Sequence, residues 1–271
     1  MLHSVADSVL IPIGTSPAWY NPGEAGSGYL LESGTHRVLV DCGPGVLSSY
    51  LSRFSDQQPI HSVVISHAHA DHVMDLVPFV YGMRLGTLQG WSRPDLWLAP
   101  GVHDRLKTMI SAWDTPSDFF ESAFNVRTFA PGETHQIGRC QMTSIEVPHY
   151  IESYALRFDA PDGSFGYSGD LGPCDHIAGF MSGVDLFLCE ATDPVGAHQS
   201  GASALRGHLT PTEAGEIANS AGVHSLLLSH VPAENGAAKV LASARTTFSG
   251  PVALAKSGTP YLVAARLAQP V

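Results

Sequence analysis

The sequence has few of the residues that stabilise small secreted proteins. Only four cysteines occur in 271 residues, and they are widely spaced: Cys42, Cys140, Cys174 and Cys189. No two of them form a Cys-x-x-Cys pair, which argues against a zinc ribbon or a disulfide framework. We therefore expect four reduced thiols.

Long apolar runs and an N-terminal targeting pattern are also lacking. No continuous apolar stretch approaches the roughly 20 residues that a membrane-spanning helix needs. Residues 1–7 carry no positive charge ahead of an apolar stretch, so they do not resemble a signal peptide. We therefore expect a cytoplasmic location and no membrane contact.

Basic residues are scarce, with 14 Lys and Arg against 25 Asp and Glu and a net charge of −11. This balance opposes a long nucleic-acid track, although a local basic patch stays open. Histidine, by contrast, is as frequent as Lys and Arg combined, at 14 residues. Its side chain serves both metal binding and proton transfer at neutral pH. The composition favours a small-molecule substrate and directs attention to where the histidines lie.

Apolar patterning predicts alternating strands and helices in a single domain, residues 1–271. The chain is long enough to bury a substantial core, and 44% hydrophobic with 14% charged residues is ordinary for an α/β protein. Strands are predicted at 8–13, 28–32, 37–41, 60–66, 96–98, 125–129, 141–147, 155–158, 164–168, 186–189 and 225–229, and helices at 46–54, 73–84, 102–112, 174–181 and 211–221. This alternation indicates a layered helix–sheet–sheet–helix body.

The helix at 211–221 has the clearest end signals. Thr210 can cap it, Glu213 completes a capping box, Pro211 suits the first position, and Gly222 can end it. The sequence therefore predicts both ends of this helix.

A histidine cluster follows the apolar run at 60–66, which predicts a buried strand. His67, His69, Asp71 and His72 place four potential metal ligands within six residues. One short loop cannot wrap four ligands round a single ion without strain, so the spacing favours two ions. The alternative, a polar surface loop, leaves the preceding strand and the distant partners unexplained.

Further candidate residues lie near the ends of other predicted strands: His149, Asp170, Glu190 and His230. Each alone is more often a packed or solvated residue, and Asp170 alone would pass for part of an ordinary turn. Together they complete two sites. We assign His67, His69 and His149 to one site, Asp71, His72 and His230 to the other, and Asp170 to both as a bridge.

Nitrogen and oxygen ligand sets with open positions suit Zn²⁺, with Mn²⁺ or Fe as alternatives. Two ions roughly 3.5–4 Å apart can hold a hydroxide between them and clamp the oxygens of an in-line displacement. The expected chemistry is hydrolysis by that hydroxide without a protein nucleophile. We predict that Asp71 is a catalytic residue as well as a metal ligand.

The ordered motifs resemble the ribonuclease-Z-like branch of the metallo-β-lactamase superfamily over nearly the whole chain. They are Gly28-Tyr29-Leu30-Leu31, Val40-Asp41-Cys42-Gly43-Pro44-Gly45, the histidine cluster, Tyr167-Ser168-Gly169-Asp170, Cys189-Glu190-Ala191-Thr192, and Gly207-His208-Leu209-Thr210 leading to Leu228-Ser229-His230. The resemblance implies a four-layer αββα fold, with two mixed sheets packed face to face and helices outside. It implies that Asp41 orients the loop that carries the histidine cluster, here called the ligand loop (residues 67–72). It also implies that Glu190 and His208 form a proton-relay pair in which His208 protonates the leaving oxygen.

That branch contains tRNA 3′-end endonucleases and small cyclic-nucleotide phosphodiesterases. The endonucleases typically carry a basic arm between the segments that correspond to His149 and Asp170. Here Asp170 follows His149 by only 21 positions, and Arg157 is the single basic residue of 150–169. We therefore favour a phosphodiesterase acting on 3′,5′-cyclic AMP or a near relative. The alternatives are a tRNA endonuclease and a lactonase or β-lactamase-like hydrolase; the relay pair counts modestly against the second, whose leaving group does not need it.

Two further features are open to two interpretations. Ser16, Trp19 and Tyr20 lie in a loop between the first two strands, where an aromatic ring can stack on a nucleobase or pack the loop onto the body. The apolar segment 73–83 can form a homodimer contact, common among the relatives, or be a purely buried helix.

Overall fold

The described residues form fourteen strands in two sheets. The computed structural model describes residues 7–54, 58–113, 115–196 and 206–264. The strands are β1 (Val9–Gly14), β2 (Gly28–Ser33), β3 (His36–Val40), β4 (Ser62–Ile65), β5 (Asp95–Leu98), β6 (Asn125–Thr128), β7 (His135–Ile137), β8 (Cys140–Val147), β9 (Ser153–Ala160), β10 (Gly163–Tyr167), β11 (Leu186–Glu190), β12 (Ser225–Ser229), β13 (Val252–Leu254) and β14 (Tyr261–Leu262). The helices are α1 (Val46–Arg53), α2 (Ala70–Val73), α3 (Leu76–Leu85), α4 (Val102–Ser111), α5 (Ile177–Phe180), α6 (Pro211–Ala221) and α7 (Ala237–Ala244), with a 3₁₀ turn at Ala233–Asn235.

The two sheets have matching designs. Their strand orders are β14-β1-β2-β3-β4-β5-β6 and β13-β12-β11-β10-β9-β8-β7. In each, one half is antiparallel and the other parallel, with parallel pairing from β3 to β6 and from β10 to β13. Parallel strands end at one edge of a sheet, where loops can gather side chains. Strand β8 shares the direction of β10 because two antiparallel pairings separate them.

The main hydrophobic core lies between the sheets. It joins residues such as Leu39 and Val64 of the first sheet with Leu156 and Phe165 of the second. Side chains of α1, α3 and α4 extend the same cluster over the first sheet. A second cluster packs α5, α6 and α7 on the second sheet, with Phe187 at its centre. The predicted helix–sheet–sheet–helix order and the two mixed sheets are therefore confirmed.

Helix α6 has the predicted ends. The Thr210 hydroxyl accepts a hydrogen bond from the backbone N–H of Glu213, whose side chain accepts one from the backbone N–H of Thr210. Pro211 opens the helix, and Gly222 ends it at a left-handed φ of 63°. No helix within the described ranges combines the length and the hydropathy of a membrane span.

The predicted helix over 73–84 is confirmed as α3, but it begins at Leu76, and Val73 instead ends the separate helix α2. The backbone N–H of Cys42 donates to His72 O, and the N–H of Asp75 donates to Cys42 O. These tertiary bonds hold the chain between the two helices. Helix 174–181 is reduced to Ile177–Phe180, strand 60–66 to Ser62–Ile65, and β7, α7, β13 and β14 were not predicted.

Candidate metal centre

Strand ends position the candidate ligands at one edge of the two-sheet body. The residues that end or follow strands β3, β4, β8, β10, β11 and β12 are Asp41, His67, His149, Asp170, Glu190 and His230. Helix α2 carries Asp71 and His72, both buried. The prediction that these sequence-distant residues lie together depends on strand direction, and the observed topology brings them together.

Two groups of these side chains share one carboxylate, and Glu190, His208 and His230 form a third group of potential ligands. The first ligand group is His67, His69, His149 and Asp170; the second ligand group is Asp71, His72, Asp170 and His230. Within each group the potential ligand atoms all lie within 4.8 Å of one another. These are the two sets assigned from the sequence, with Asp170 common to both, and their metal binding stays a prediction.

The donor atoms fit divalent cations. His67 Nε2, His72 Nε2 and Asp170 Oδ1 are buried, and none has a hydrogen-bond partner among the described residues. An unsatisfied buried polar atom costs about 1–3 kcal/mol, so three in one place indicate a missing partner. Imidazole and carboxylate donors without a thiolate suit zinc and related ions.

Asp41 holds the second ligand group from behind. Its Oδ2 accepts hydrogen bonds from His72 Nδ1, the Ser66 hydroxyl and the Tyr167 hydroxyl, each at 2.8 Å, and its Oδ1 accepts the Ser66 backbone N–H, also at 2.8 Å. Asp41 has a left-handed φ of 59°, which costs roughly 1–2 kcal/mol for a residue with a side chain. Four hydrogen bonds offset that cost. The geometry is that of a carboxylate that orients a metal-binding imidazole, as expected for Asp41.

His149 and His230 are also held by hydrogen bonds at Nδ1, the ring nitrogen that faces away from the centre. His149 Nδ1 lies 2.7 Å from Gly207 O and can only donate to that carbonyl. His230 Nδ1 lies 2.8 Å from the Thr192 hydroxyl, which itself donates to Glu190 Oε2 at 2.6 Å. The Thr192 oxygen therefore accepts the His230 proton. His149 Nε2 is thereby left unprotonated towards the centre, whereas His230 Nε2 lies 3.1 Å from Asp71 Oδ2.

The first ligand group is electrically neutral apart from Asp170. Burial lowers the pKa of His67 far below its ordinary range, with a further contribution from the charge of His72. Burial also lowers the pKa of His69 and of His149. These imidazoles are therefore unprotonated at neutral pH, which is the form that binds a metal.

The second ligand group is strongly charged. Burial opposes a proton on His72, but the carboxylates of Asp170, Asp71 and Asp41 outweigh it and raise the pKa of His72. Burial would raise the pKa of Asp71 and Asp170, yet His72 and His230 lower both. Three carboxylates around one imidazole create a negative field, and a divalent cation satisfies it in place of a proton.

Two features of the ligand loop were not predicted. A Cβ at Gly43 would lie 1.9 Å from Asp71 O, so only glycine allows this close approach. The N–H of Ser27 donates to the same carbonyl at 3.0 Å. The motif at 40–45 contains this glycine, but its packing partner is 28 residues away and could not be inferred from local pattern.

Glu190 and His208 form the pair that the resemblance implied. His208 Nδ1 lies 2.9 Å from Glu190 Oε1, and Glu190 is almost fully buried. Burial alone would lower the pKa of His208, but the hydrogen bond and charge of Glu190 outweigh it and raise that pKa to about 9. The His208 ring stacks on His230 at 5.7 Å and meets His149 edge-on at 5.1 Å. A cationic donor thus stands beside ligands of both groups.

The loop that carries the predicted substrate-binding residues is attached next to His230. Asn21 Nδ2 donates to Val231 O at 2.8 Å, and Trp19 Nε1 donates to Glu234 Oε1 at 3.1 Å. Trp19 and Tyr20 are 51% and 61% exposed. Ser16 is fully buried, and its hydroxyl accepts the Asn21 backbone N–H at 3.0 Å. Ser16 thus stabilises the loop, and its contact with substrate stays a prediction.

Comparison with known proteins agrees with this geometry. Residues 36–231 match the beta-lactamase superfamily domain, and the chain belongs to the metallo-β-lactamase superfamily as a metal-dependent hydrolase. An uncharacterized protein of Mycobacterium tuberculosis is 35% identical over 92% of this chain and 90% of its own length. The probable metallo-hydrolase YhfI of Bacillus subtilis is 32% identical over 87% of this chain and 91% of its own.

Solved structures show the same fold. The YhfI crystal structure, described as a metallo-beta-lactamase fold protein, has a TM-score of 0.82 at 28% identity and covers 94% of this chain and 99% of its own. Human tRNase Z, short form, has a TM-score of 0.72 at 19% identity, covering 94% and 99%. At that identity the second likeness concerns the fold alone.

Proposed function

We propose that this protein hydrolyses a small phosphodiester, 3′,5′-cyclic AMP or a near relative, with two divalent cations, preferably Zn²⁺, in the two ligand groups. The observation that carries the proposal is the position of His208. Its ring contacts His149 of the first ligand group and His230 of the second, and Glu190 holds its Nδ1. A proton donor at that point is useful where a poor leaving oxygen departs.

The residues have distinct parts in this reaction. When bound, the cations would lower the pKa of a water and neutralise charge on the phosphate. His208 donates its Nε2 proton to the departing ribose 3′-oxygen, since Nδ1 is engaged by Glu190. A pKa of about 9 keeps His208 protonated at neutral pH. Asp71 and Asp170 would hold the cations, and Asp41 fixes the imidazole of His72.

The segment between His149 and Asp170 supports a small substrate. Strands β9 and β10 and the turn between them fill most of it. Its one basic side chain, Arg157, is paired with Asp159 and donates to Phe180 O and Ser182 O. No basic arm is available there to bind tRNA. Combined with the net charge of −11, this favours a single phosphodiester over a polyanion.

The exposed rings of Trp19 and Tyr20 support a nucleobase as part of the substrate. Their loop borders a cavity of about 260 Å³ that Asn21, Ser229, Val231 and other residues line.

Tyr81 and Leu85 of α3 are 45% and 75% exposed, which supports a homodimer contact through this helix. A cytoplasmic location stays a prediction.

One parallel assay tests the proposal. Zn²⁺-loaded and Mn²⁺-loaded protein is incubated with cyclic AMP, cyclic GMP, a precursor tRNA, a lactone and a chromogenic phosphodiester. We expect turnover of a cyclic nucleotide and of the chromogenic diester. Exclusive cleavage of the precursor tRNA, or of the lactone, would overturn the proposal.

A further inference from the structure

Tyr150 is a large aromatic side chain on the rim of the candidate metal centre. The proposed reaction gives it no role. It follows His149 directly, and it is 59% exposed. Its ring centroid lies 5.0 Å from that of His149 and 5.8 Å from that of His208. An exposed ring in contact with both a candidate ligand and the proton donor is placed to touch substrate.

The backbone fixes the position of the ring. A Cβ at Gly207 would lie 2.4 Å from a carbon of the Tyr150 ring, so the ring rests directly on the glycine. The carbonyl of Gly207 in turn accepts the Nδ1 proton of His149. Glycine at 207 therefore lets one side of the ring pack against the chain while more than half of the side chain faces solvent. Such a preorganised surface loses little entropy on binding.

The ring borders an open depression of about 340 Å³. Its lining residues are Arg105, Glu146, Val147, Pro148, His149, Tyr150, Ile151 and Glu152. The one guanidinium, of Arg105, is 2.5 Å from the carboxylate of Glu152, and Glu146 adds a second negative charge. This balance does not favour a second phosphate. It favours an uncharged planar group beside the Tyr150 ring.

We propose that Tyr150 is a specificity-determining residue whose ring stacks on the planar base of a phosphate ester bound at the metal centre. The proposal rests on the proposed function, in which the phosphate would bind between the two cations and His208. Because Tyr150 touches His208, the base would lie on the side of the leaving oxygen. In a 3′,5′-cyclic nucleotide that oxygen and the base belong to the same ribose.

Stacking of this kind acts on binding in the ground state and in the transition state alike. It therefore lowers Kd and KM without raising kcat. Base–aromatic stacking contributes about 1–3 kcal/mol, which corresponds to a factor of about 5 to 150 in affinity. The base-free analogue of the ligand should not gain this factor.

The test is calorimetric titration of Zn²⁺-loaded protein with adenosine 5′-monophosphate and with ribose 5-phosphate, in which a hydroxyl replaces the base. We expect Tyr150→Ala to weaken adenosine 5′-monophosphate about 10-fold and to leave ribose 5-phosphate unchanged. Tyr150→Phe should bind as the wild type does, because it keeps the ring. Trp113→Ala is the control, since Trp113 is also an exposed aromatic side chain, at 49%, and belongs to neither ligand group.

Several results would overturn the inference: no preference of the wild type for the ligand with the base, equal losses for both ligands in Tyr150→Ala, or no loss at all. The titration does not depend on turnover. If the base preference disappears in Tyr150→Ala while the wild type hydrolyses no phosphodiester, the proposed function fails and the stacking surface stands. If cyclic AMP is hydrolysed with an unchanged KM in Tyr150→Ala, the proposed function stands and the stacking role of Tyr150 fails.

Discussion

The two ligand groups share Asp170 but differ in charge and in burial. The first has three histidines, of which His69 is only partly buried, and their pKa values are lowered. The second is buried throughout, contains a further carboxylate, Asp71, and has Asp41 behind His72. Negative charge and rigid support favour cation binding. We therefore expect the second ligand group to hold its cation more tightly than the first.

The largest effect is expected from Asp170→Ala, because this change removes the one ligand that both groups share. Both cations should be weakened and turnover should fall by more than the factor of roughly 10²–10⁴ expected for loss of a general acid. Metal content by elemental analysis and kcat on a chromogenic diester measure this. A metal-replete Asp170→Ala protein with normal activity would show that Asp170 is not a bridge.

His208→Ala should separate chemistry from metal binding. The side chain belongs to neither ligand group, so both should keep their cations, while kcat falls by roughly 10²–10⁴. Metal content and kcat are measured on the same preparations, and His224→Ala, a histidine outside both groups, is the control. If metal and activity fall together, His208 acts as a ligand.

Asp41→Asn should distinguish the two groups directly. It weakens the acceptor that bonds His72 Nδ1 directly, whereas it reaches the first group only through Ser66, whose hydroxyl lies 3.0 Å from His67 Nδ1. Loss of such a partner costs about 10–100-fold in metal affinity. Chelator competition should therefore show a larger loss of metal affinity at the second site than at the first. Asp159→Asn, at a carboxylate paired with Arg157, controls for the loss of a charge. Equal weakening of both sites would contradict the comparison.

The smallest effect concerns His36 and His61, which stand at the opposite ends of β3 and β4 from the ligands. Burial lowers the pKa of both, helped by the charge of His61 on His36 and of Arg37 on His61. Their stabilising contribution is therefore present above their unfolded pKa of about 6.5 and lost as pH falls through the folded values.

We expect His61→Asn to lose less stability than the wild type between about pH 7.5 and pH 5.5 in urea unfolding with chelator present. The chelator removes the metal contribution, so the difference isolates this pair. An identical loss in both proteins would show that His61 does not titrate in this range. His36 and His61, at one end of β3 and β4, can thus be compared in stability with the candidate metal ligands at the other end.

Much of the candidate site was accessible from the chain alone because its signals are local. His67, His69, Asp71 and His72 are close in sequence, and the helix that follows Thr210 carries its own capping residues. The distant partners His149, Asp170 and His230 are individually ordinary, and only their joint occurrence near the ends of predicted strands indicated them. Their predicted grouping is the one that the fold brings together.

What the sequence by itself determined is the ligand cluster His67 to His72, the alternation of strands and helices and the ends of α6, because each depends on residues near one another in the chain. Only the tertiary structure decided which residues support those donors. Gly43 beneath Asp71, Thr192 between Glu190 and His230, and Tyr150 on Gly207 are contacts between segments that meet through strand order. Such contacts arise when separate strand ends converge on one edge, and no local pattern encodes them.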